Sequence, residues 1–365
     1  VIITRDNSSK EQRGGDLIPE LTRRNFLKLL GALGATTFIQ TYRSEIIDVF
    51  AQAAGAGVKL VWLQGQSDSG CSISLLQGEH PDIYDAVLKL NVNIAYHPTV
   101  MYEFGESASK ILHDMITTDA PDVLVVEGAI PTGNRKHACM IGEYKGEEFI
   151  LEDYLKKIGP RVKSGIAVAV GSCATHGGIP SGKPNPTNAK GLKEILPGMT
   201  VVNLPGCPPQ GEHILLTLAA VILGIIPELD AQGRPKVFYG RLLHDECVLR
   251  GYYDEGKFAH QFGEPGCLYK LGCKGPVTYA DCASRKWNGG VNYCMSAGAP
   301  CIGCFSLDFP DGTSPFYVPQ DTLELDVTKK FFEGLTAGVI AAAGAYTVID
   351  FLGKRKKKEE KKKEE

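Results

Sequence analysis

Between His244 and Cys304 the chain gathers seven of its eleven cysteines within 61 residues, with one well-placed histidine, His244, at the start. They fall as His244-x2-Cys247, Cys267-x5-Cys273, then Cys282, Cys294, Cys301 and Cys304. Eight soft or borderline ligands in two sets of four is the number two iron–sulfur clusters need; such clusters take thiolates, and a histidine can replace one. Zinc stays open as an alternative, because Cys301-x2-Cys304 also has a zinc spacing. Disulfides are disfavoured by the odd number of cysteines and by a chain long enough to need no staples. Buried, unreactive thiols are the remaining alternative.

Three further cysteines each follow an apolar run. The chain alternates short runs with helical patterns: Val58–Leu63, Val92–Tyr96, Asp122–Glu127, Gly165–Val170 and Thr200–Leu204 read as strands. Helices are expected near 73–89, 105–118, 149–158 and 211–223. This alternation predicts an α/β domain over 54–230 with a parallel sheet covered on both faces, of flavodoxin-like order. Asp68-Ser69-Gly70-Cys71 follows the first strand, Gly171-Ser172-Cys173-Ala174-Thr175 the fourth, and Pro205-Gly206-Cys207-Pro208-Pro209 the fifth. Ligands of open parallel sheets sit beyond the carboxyl ends of strands, so Cys71, Cys173 and Cys207 can converge although up to 136 positions apart. A four-iron site needs a fourth ligand. Asp68, three residues before Cys71, is the first choice, although a carboxylate is harder than a thiolate; Cys139 is the rival. Glu127 and His176 lie near these turns and are read as structural unless shown otherwise.

The rest of the chain supplies context. A formal charge of −3 leaves no nucleic-acid footprint. Glycines flank Cys71, Cys207, Cys267, Cys273 and Cys304, where they allow close approach to a bulky group. Residues 1–53 read as a twin-arginine signal region: Thr22-Arg23-Arg24-Asn25-Phe26-Leu27-Lys28, an apolar stretch Leu29–Ile39, and Ala51-Gln52-Ala53 as a small-residue cleavage site. That route exports proteins already folded, which suits a chain that acquires metal clusters first. Residues 231–320 form a loop-rich cysteine domain. Residues 334–352 read as a C-terminal membrane anchor helix, with 16 uncharged residues from Gly334 to Ile349 and Lys354–Lys358 after them. That is slightly shorter than the roughly 17–25 residues a span takes, and the basic flank is of the kind kept inside. Residues 353–365 are a charged tail.

Taken together, the blocks resemble the small subunit of a membrane-bound nickel–iron uptake hydrogenase. The matching residues are Trp62-Leu63-Gln64-Gly65-Gln66 leading to Cys71, Val126-Glu127-Gly128-Ala129-Ile130-Pro131, the Cys173 and Cys207 turns, Leu271-Gly272-Cys273-Lys274-Gly275-Pro276 and Pro300-Cys301-Ile302-Gly303-Cys304. The resemblance implies three clusters in a row: a proximal four-iron cluster at the strand-end set, a distal four-iron cluster on His244, Cys247, Cys267 and Cys273, and a medial cluster on Cys282, Cys301 and Cys304. It implies a large subunit holding the nickel–iron centre, H2 oxidised to two protons and two electrons, and a membrane cytochrome b or other quinone-linked acceptor at the outer face of the cytoplasmic membrane. The chain is not expected to be active alone. Two departures stand out. Asp68 replaces the first proximal cysteine of the family, and Gly70 and Gly178 stand where oxygen-tolerant members carry extra cysteines. Cys294 stands where many relatives have proline and a three-iron medial cluster, so a four-iron medial cluster is expected here. Two other readings stay open: an iron–sulfur subunit of a different quinone-linked complex, and a secreted zinc-binding protein.

Overall fold

The computed structural model describes residues 57–319, apart from 80–81, 85–90, 223 and 225. The signal region, the anchor helix and the charged tail expected from the sequence lie outside the described residues. Among the described residues no helix is long and apolar enough to cross a membrane.

The central sheet contains strands β1 (Val58–Gln64), β2 (Val92–Tyr96), β3 (Val123–Glu127), β6 (Ile166–Val170) and β7 (Thr200–Leu204), and a small hairpin pairs β4 (Met140–Tyr144) with β5 (Glu147–Ile150). The sheet order is β2-β1-β3-β6-β7 with every pair parallel, the flavodoxin-like order the alternation predicts. All five residues of β3 and of β6 are buried, because helices cover both faces of the sheet. Side chains alternate between two cores. Leu60, Trp62, Val125, Val168 and Val202 face one; Val61, Leu63, Leu124, Val126, Ala167 and Ala169 face the other.

The principal helices are α1 (Gly70–Leu76), α2 (Gly105–Thr117), α3 (Leu151–Ile158), α4 (Gly171–His176) and α5 (Gly211–Ile222). Two of these differ from expectation. The pattern that suggests one helix over 73–89 breaks at Gln77, which caps α1. Gly211 of α5 lies so close that a Cβ there would fall 2.4 Å from the Ser74 carbonyl oxygen. The helix expected from 149 begins at Leu151, because residues up to Ile150 pair across the hairpin.

The cysteine-rich segment from residue 236 onward has only short helical turns, among them Lys236–Tyr239, Leu243–Glu246, Leu268–Leu271 and Cys282–Arg285. It packs on the first sheet face rather than forming a separate core. Phe238, Tyr239, Leu268, Met295 and Phe305 join the cluster built on Trp62 and Val168. Beneath it His213 of α5 stacks on Phe238, with ring centroids 4.4 Å apart, and pairs with Asp281 at 2.8 Å. Arg285 holds the other carboxylate oxygen of Asp281 at 2.8 Å. Burial opposes ionisation of Asp281, but the charges of His213 and Arg285 outweigh it and hold the carboxyl below its ordinary range.

Candidate metal centres

Beyond the carboxyl ends of β1, β6 and β7 lies a cavity of about 360 Å³, lined by Asp68, Cys71, Cys173 and Cys207. Its walls are closely fitted to the thiols. Gly171, at φ +89°, sits where a Cβ would fall 2.5 Å from Cys71 Sγ, and a Cβ on Gly178 would come within 2.9 Å of Cys173 Sγ. Burial pushes the Cys71 thiol well up, and the nearby charges of Glu127, Cys173, Cys207 and Asp68 push it further. Burial also raises Cys173 to about 11 and lifts Cys207. Asp68 is exposed at the cavity rim, and its Oδ1 accepts a hydrogen bond from the Gly70 N–H at 2.8 Å. Cys139 is elsewhere. It caps the short helical turn Gly133–Ala138 and packs on the opposite sheet face, where burial alone raises it to about 11. Of the two candidates for a fourth proximal ligand, only Asp68 lines the cavity.

Behind the Cys71 turn, Glu127 at the end of β3 is wholly buried. Its carboxylate accepts from Trp62 Nε1 at 2.9 Å, Gln64 Nε2 at 3.0 Å, the Cys71 N–H at 3.1 Å, the Ser72 N–H at 3.3 Å and the Ser72 hydroxyl. Glu127 therefore fixes the loop that carries Cys71. His176 does not point at the cavity; its ring nitrogens lie 2.8 Å from Thr175 Oγ1 and 3.1 Å from the Phe309 carbonyl oxygen, bracing the loop around Phe309.

At the other end, His244, Cys247, Cys267 and Cys273 line one cleft with Leu249, Tyr269 and Met295. His244 Nε2 is buried with no hydrogen-bond partner, while its ring packs edge-on against Tyr253 at 4.5 Å. A buried ring nitrogen that shares a cleft with three thiols has the surroundings of a metal ligand. Backbone N–H groups aim at the sulfurs: Leu249 donates to Cys247 Sγ at 3.4 Å and Gly275 to Cys273 Sγ at 3.5 Å. The Tyr293 hydroxyl also donates to Cys247 Sγ, at 3.6 Å.

Between these two sites stand Cys282, Cys294, Cys301 and Cys304. Burial drives Cys282 well up, with added repulsion from Cys304, Asp281, Cys301 and Cys294, so the four thiols share one neighbourhood. Cys294 is the exposed member; the Gly303 N–H donates to the sulfur of Cys301 at 3.3 Å, and Thr278 Oγ1 lies 3.8 Å from it. All eleven cysteines are free of disulfides. Among the described residues no three His, Cys, Asp or Glu side chains close on a point as a single ion requires.

Two contacts link the three sets. The Cys301 N–H donates to Cys273 Sγ at 3.4 Å, and the hydroxyl of Ser172, next to Cys173, donates to the Cys304 carbonyl oxygen at 2.8 Å. The sequence gives no sign of either. It also gives no sign of Tyr293 or Thr278, whose hydroxyls reach sulfurs from positions with no pattern of their own.

A doubly covered parallel sheet with thiols at its strand ends, continued by cysteine-lined loops on the same core, defines a redox subunit of the iron–sulfur class. Comparison with known proteins narrows that class. Residues 239–317 match the family describing the C-terminal part of NiFe/NiFeSe hydrogenase small subunits, and residues 69–221 match NADH ubiquinone oxidoreductase, 20 Kd subunit. The periplasmic [NiFeSe] hydrogenase small subunit of Desulfomicrobium baculatum is 39% identical over 82% of this chain and 99% of its own length. The F420 non-reducing hydrogenase II small subunit of Methanosarcina mazei is 38% identical over 90% of this chain and 93% of its own. Among solved structures, the actinobacterial-type NiFe-hydrogenase from Ralstonia eutropha H16 superposes with a TM-score of 0.67 at 30% identity, covering 78% of this chain and 91% of that one. The chain belongs to the family of nickel–iron hydrogenase small subunits, the electron-transfer partners of a large subunit that holds the nickel–iron centre.

Proposed function

We propose that this subunit relays electrons from H2 oxidation through three iron–sulfur clusters with the following ligands. Asp68, Cys71, Cys173 and Cys207 hold a proximal four-iron cluster. Cys282, Cys294, Cys301 and Cys304 hold a medial four-iron cluster, and His244, Cys247, Cys267 and Cys273 a distal one. The observation that carries this reading is the pair of contacts at the ends of the Cys301–Cys304 loop, where the Cys301 N–H meets Cys273 Sγ of the distal set and the Cys304 carbonyl oxygen meets Ser172, beside Cys173 of the proximal set. Sites for a relay must be adjacent, and these touch.

Bound clusters supply reversible one-electron transfer. The protein's contribution is to hold them and set their surroundings. Burial raises the thiols of Cys273, Cys301 and Cys304, so iron displaces protons from them on binding. Backbone N–H groups at Cys247, Cys273 and Cys301 offset the negative charge on sulfur. Cys282 and Cys301 lie in the apolar core and Cys304 packs against it, whereas Asp68 and Cys207 face outward, the side on which the large subunit docks in this reading.

The acceptor end is the distal site, and we assign it a membrane cytochrome b or another quinone-linked subunit. Support comes from the twin-arginine pattern and the apolar stretch after Gly334, both of which suit a complex at the outer face of the cytoplasmic membrane. The test is purification of the small subunit with its large partner, followed by iron counting, electron paramagnetic resonance and hydrogen-dependent dye reduction. A complex carrying zinc in place of iron and acid-labile sulfide ends the reading.

A further inference from the structure

Ser172 stands next to Cys173 but does not face it alone. Its hydroxyl accepts a hydrogen bond from the Gly206 N–H at 3.0 Å and donates one to the Cys304 carbonyl oxygen at 2.8 Å. Its own N–H donates to the Gly206 carbonyl oxygen at 2.8 Å. The residue is 1% exposed, so water does not replace these bonds easily. A hydroxyl can donate and accept at one point, and here it does both at once, between two loops far apart in sequence. Gly206 precedes the proximal ligand Cys207, and Cys304 is a medial ligand. Three segments, each bearing a cysteine of the relay, therefore meet at one oxygen atom.

We propose that Ser172 is a positioning residue that sets the separation and orientation of the proximal and medial clusters. The inference rests on the three-cluster reading above and concerns this chain's own residues. The hydroxyl keeps the Gly206–Cys207 turn against the Cys304 loop. Alanine at this position leaves the Gly206 N–H and the Cys304 carbonyl oxygen without the group that joins them, and the two loops separate. Thr175, one turn further along α4, is the matching control. Its hydroxyl is also buried, but it bonds within its own turn, to the Ser172 carbonyl oxygen at 3.1 Å and beside His176.

The experiment compares the wild-type complex of both subunits with its Ser172→Ala and Thr175→Val forms. Iron content and the magnetic interaction between proximal and medial clusters are read by electron paramagnetic resonance in hydrogen-reduced samples. The expected result is full iron content with loss or narrowing of the proximal–medial splitting in Ser172→Ala alone. Joint loss of proximal and medial iron with the distal cluster retained has the same meaning, since both loops hang on the same atom. A wild-type splitting in Ser172→Ala overturns the proposal. So does an equal loss in Thr175→Val, or loss of the distal cluster with the others, because either marks a general defect of folding. Absence of the proximal or medial cluster from the wild-type complex refutes the three-cluster reading itself, and is seen before any variant is compared.

Discussion

The backbone N–H of Cys301 lies 3.4 Å from Sγ of Cys273 and points at it. One residue belongs to the medial set and the other to the distal set, so a single hydrogen bond joins two sites that the sequence separates by 28 positions. The bond is reinforced by the Lys274 N–H, which donates to the Cys301 carbonyl oxygen at 2.7 Å. This paired contact keeps the loop that bears Cys301 against the loop that bears Cys273.

The distal site turns on His244, whose Nε2 is buried and unpartnered. A neutral imidazole donates less negative charge to iron than a thiolate, and histidine ligation raises cluster potentials. His244→Cys is expected to keep the distal cluster and lower its potential, read in a redox titration followed by electron paramagnetic resonance. His244→Ala is expected to lose about one cluster's worth of iron, roughly four atoms. Unchanged iron and potential in both variants remove His244 from the ligand set.

Asp68, at the rim of the proximal cavity, is the proposed fourth ligand there and differs from the others in chemistry, as a hard ligand among soft ones. Asp68→Cys is expected to retain the cluster at a lower potential, since a thiolate gives more electron density to iron. Asp68→Ala is expected to leave an open iron position and a labile, three-iron-prone cluster. The check is the spectrum of the proximal cluster before and after mild oxidation. A wild-type spectrum in the alanine variant assigns the fourth position to another ligand.

Much of this frame was readable from the chain alone, and the exceptions have physical causes. The sheet strands announced themselves as apolar runs, buried on both faces at the centre of the sheet, as in Ile166–Val170. The hairpin of β4 and β5 did not. Its turn is built on Lys145 and Gly146, both at positive φ, and lysine is not a residue that signals such a turn. The candidate ligands stood out because cysteine is rare and its spacing distinctive. The groups that orient them were not: Ser172 meets Cys304 across 132 positions, and a serine carries no spacing signal. Cys139 shows the converse, a conspicuous residue that packs as an ordinary apolar side chain on the far face of the sheet.

In the proposed medial set Cys294 is the exposed thiol and the fourth ligand that a four-iron cluster needs. Cys294→Pro is expected to convert the medial cluster to a three-iron form. Oxidised protein then gains a strong three-iron resonance that the parent lacks, with iron content lower by about one atom. A strong three-iron signal from the medial site of the parent chain sinks the four-iron assignment.

Glu127 is the structural counterpart of these ligands. Its buried carboxylate accepts from two side-chain N–H groups, two backbone N–H groups and the Ser72 hydroxyl. Glu127→Gln places an amide against donors and leaves at least one unpaired. The expected loss is about 3 kcal/mol, or roughly 5–10 °C in the thermal midpoint of the complex. A variant that melts with the wild type, with the Cys71 ligand retained, shows that the loop is held by other means.

His97 supplies a pH dependence that the clusters do not dominate. It is 1% exposed and stacks on Trp62, with ring centroids 4.9 Å apart, while its Nδ1 accepts from the Thr99 N–H at 3.2 Å. Burial lowers its pKa below the ordinary 6.5; the Glu127 charge and the backbone contact oppose the shift without cancelling it. The folded chain therefore binds a proton at His97 less readily than the unfolded chain. The stability contributed by the neutral ring is fully present above pH 6.5 and is lost as pH falls through the lower, folded-state value. His97→Phe retains a ring against Trp62 and removes the proton site. Its thermal midpoint is expected to fall less steeply than that of the wild type on acidification from pH 7 to roughly pH 5, within the range where histidine titrates. Parallel curves for the two proteins across that interval show that protonation of His97 is not linked to unfolding.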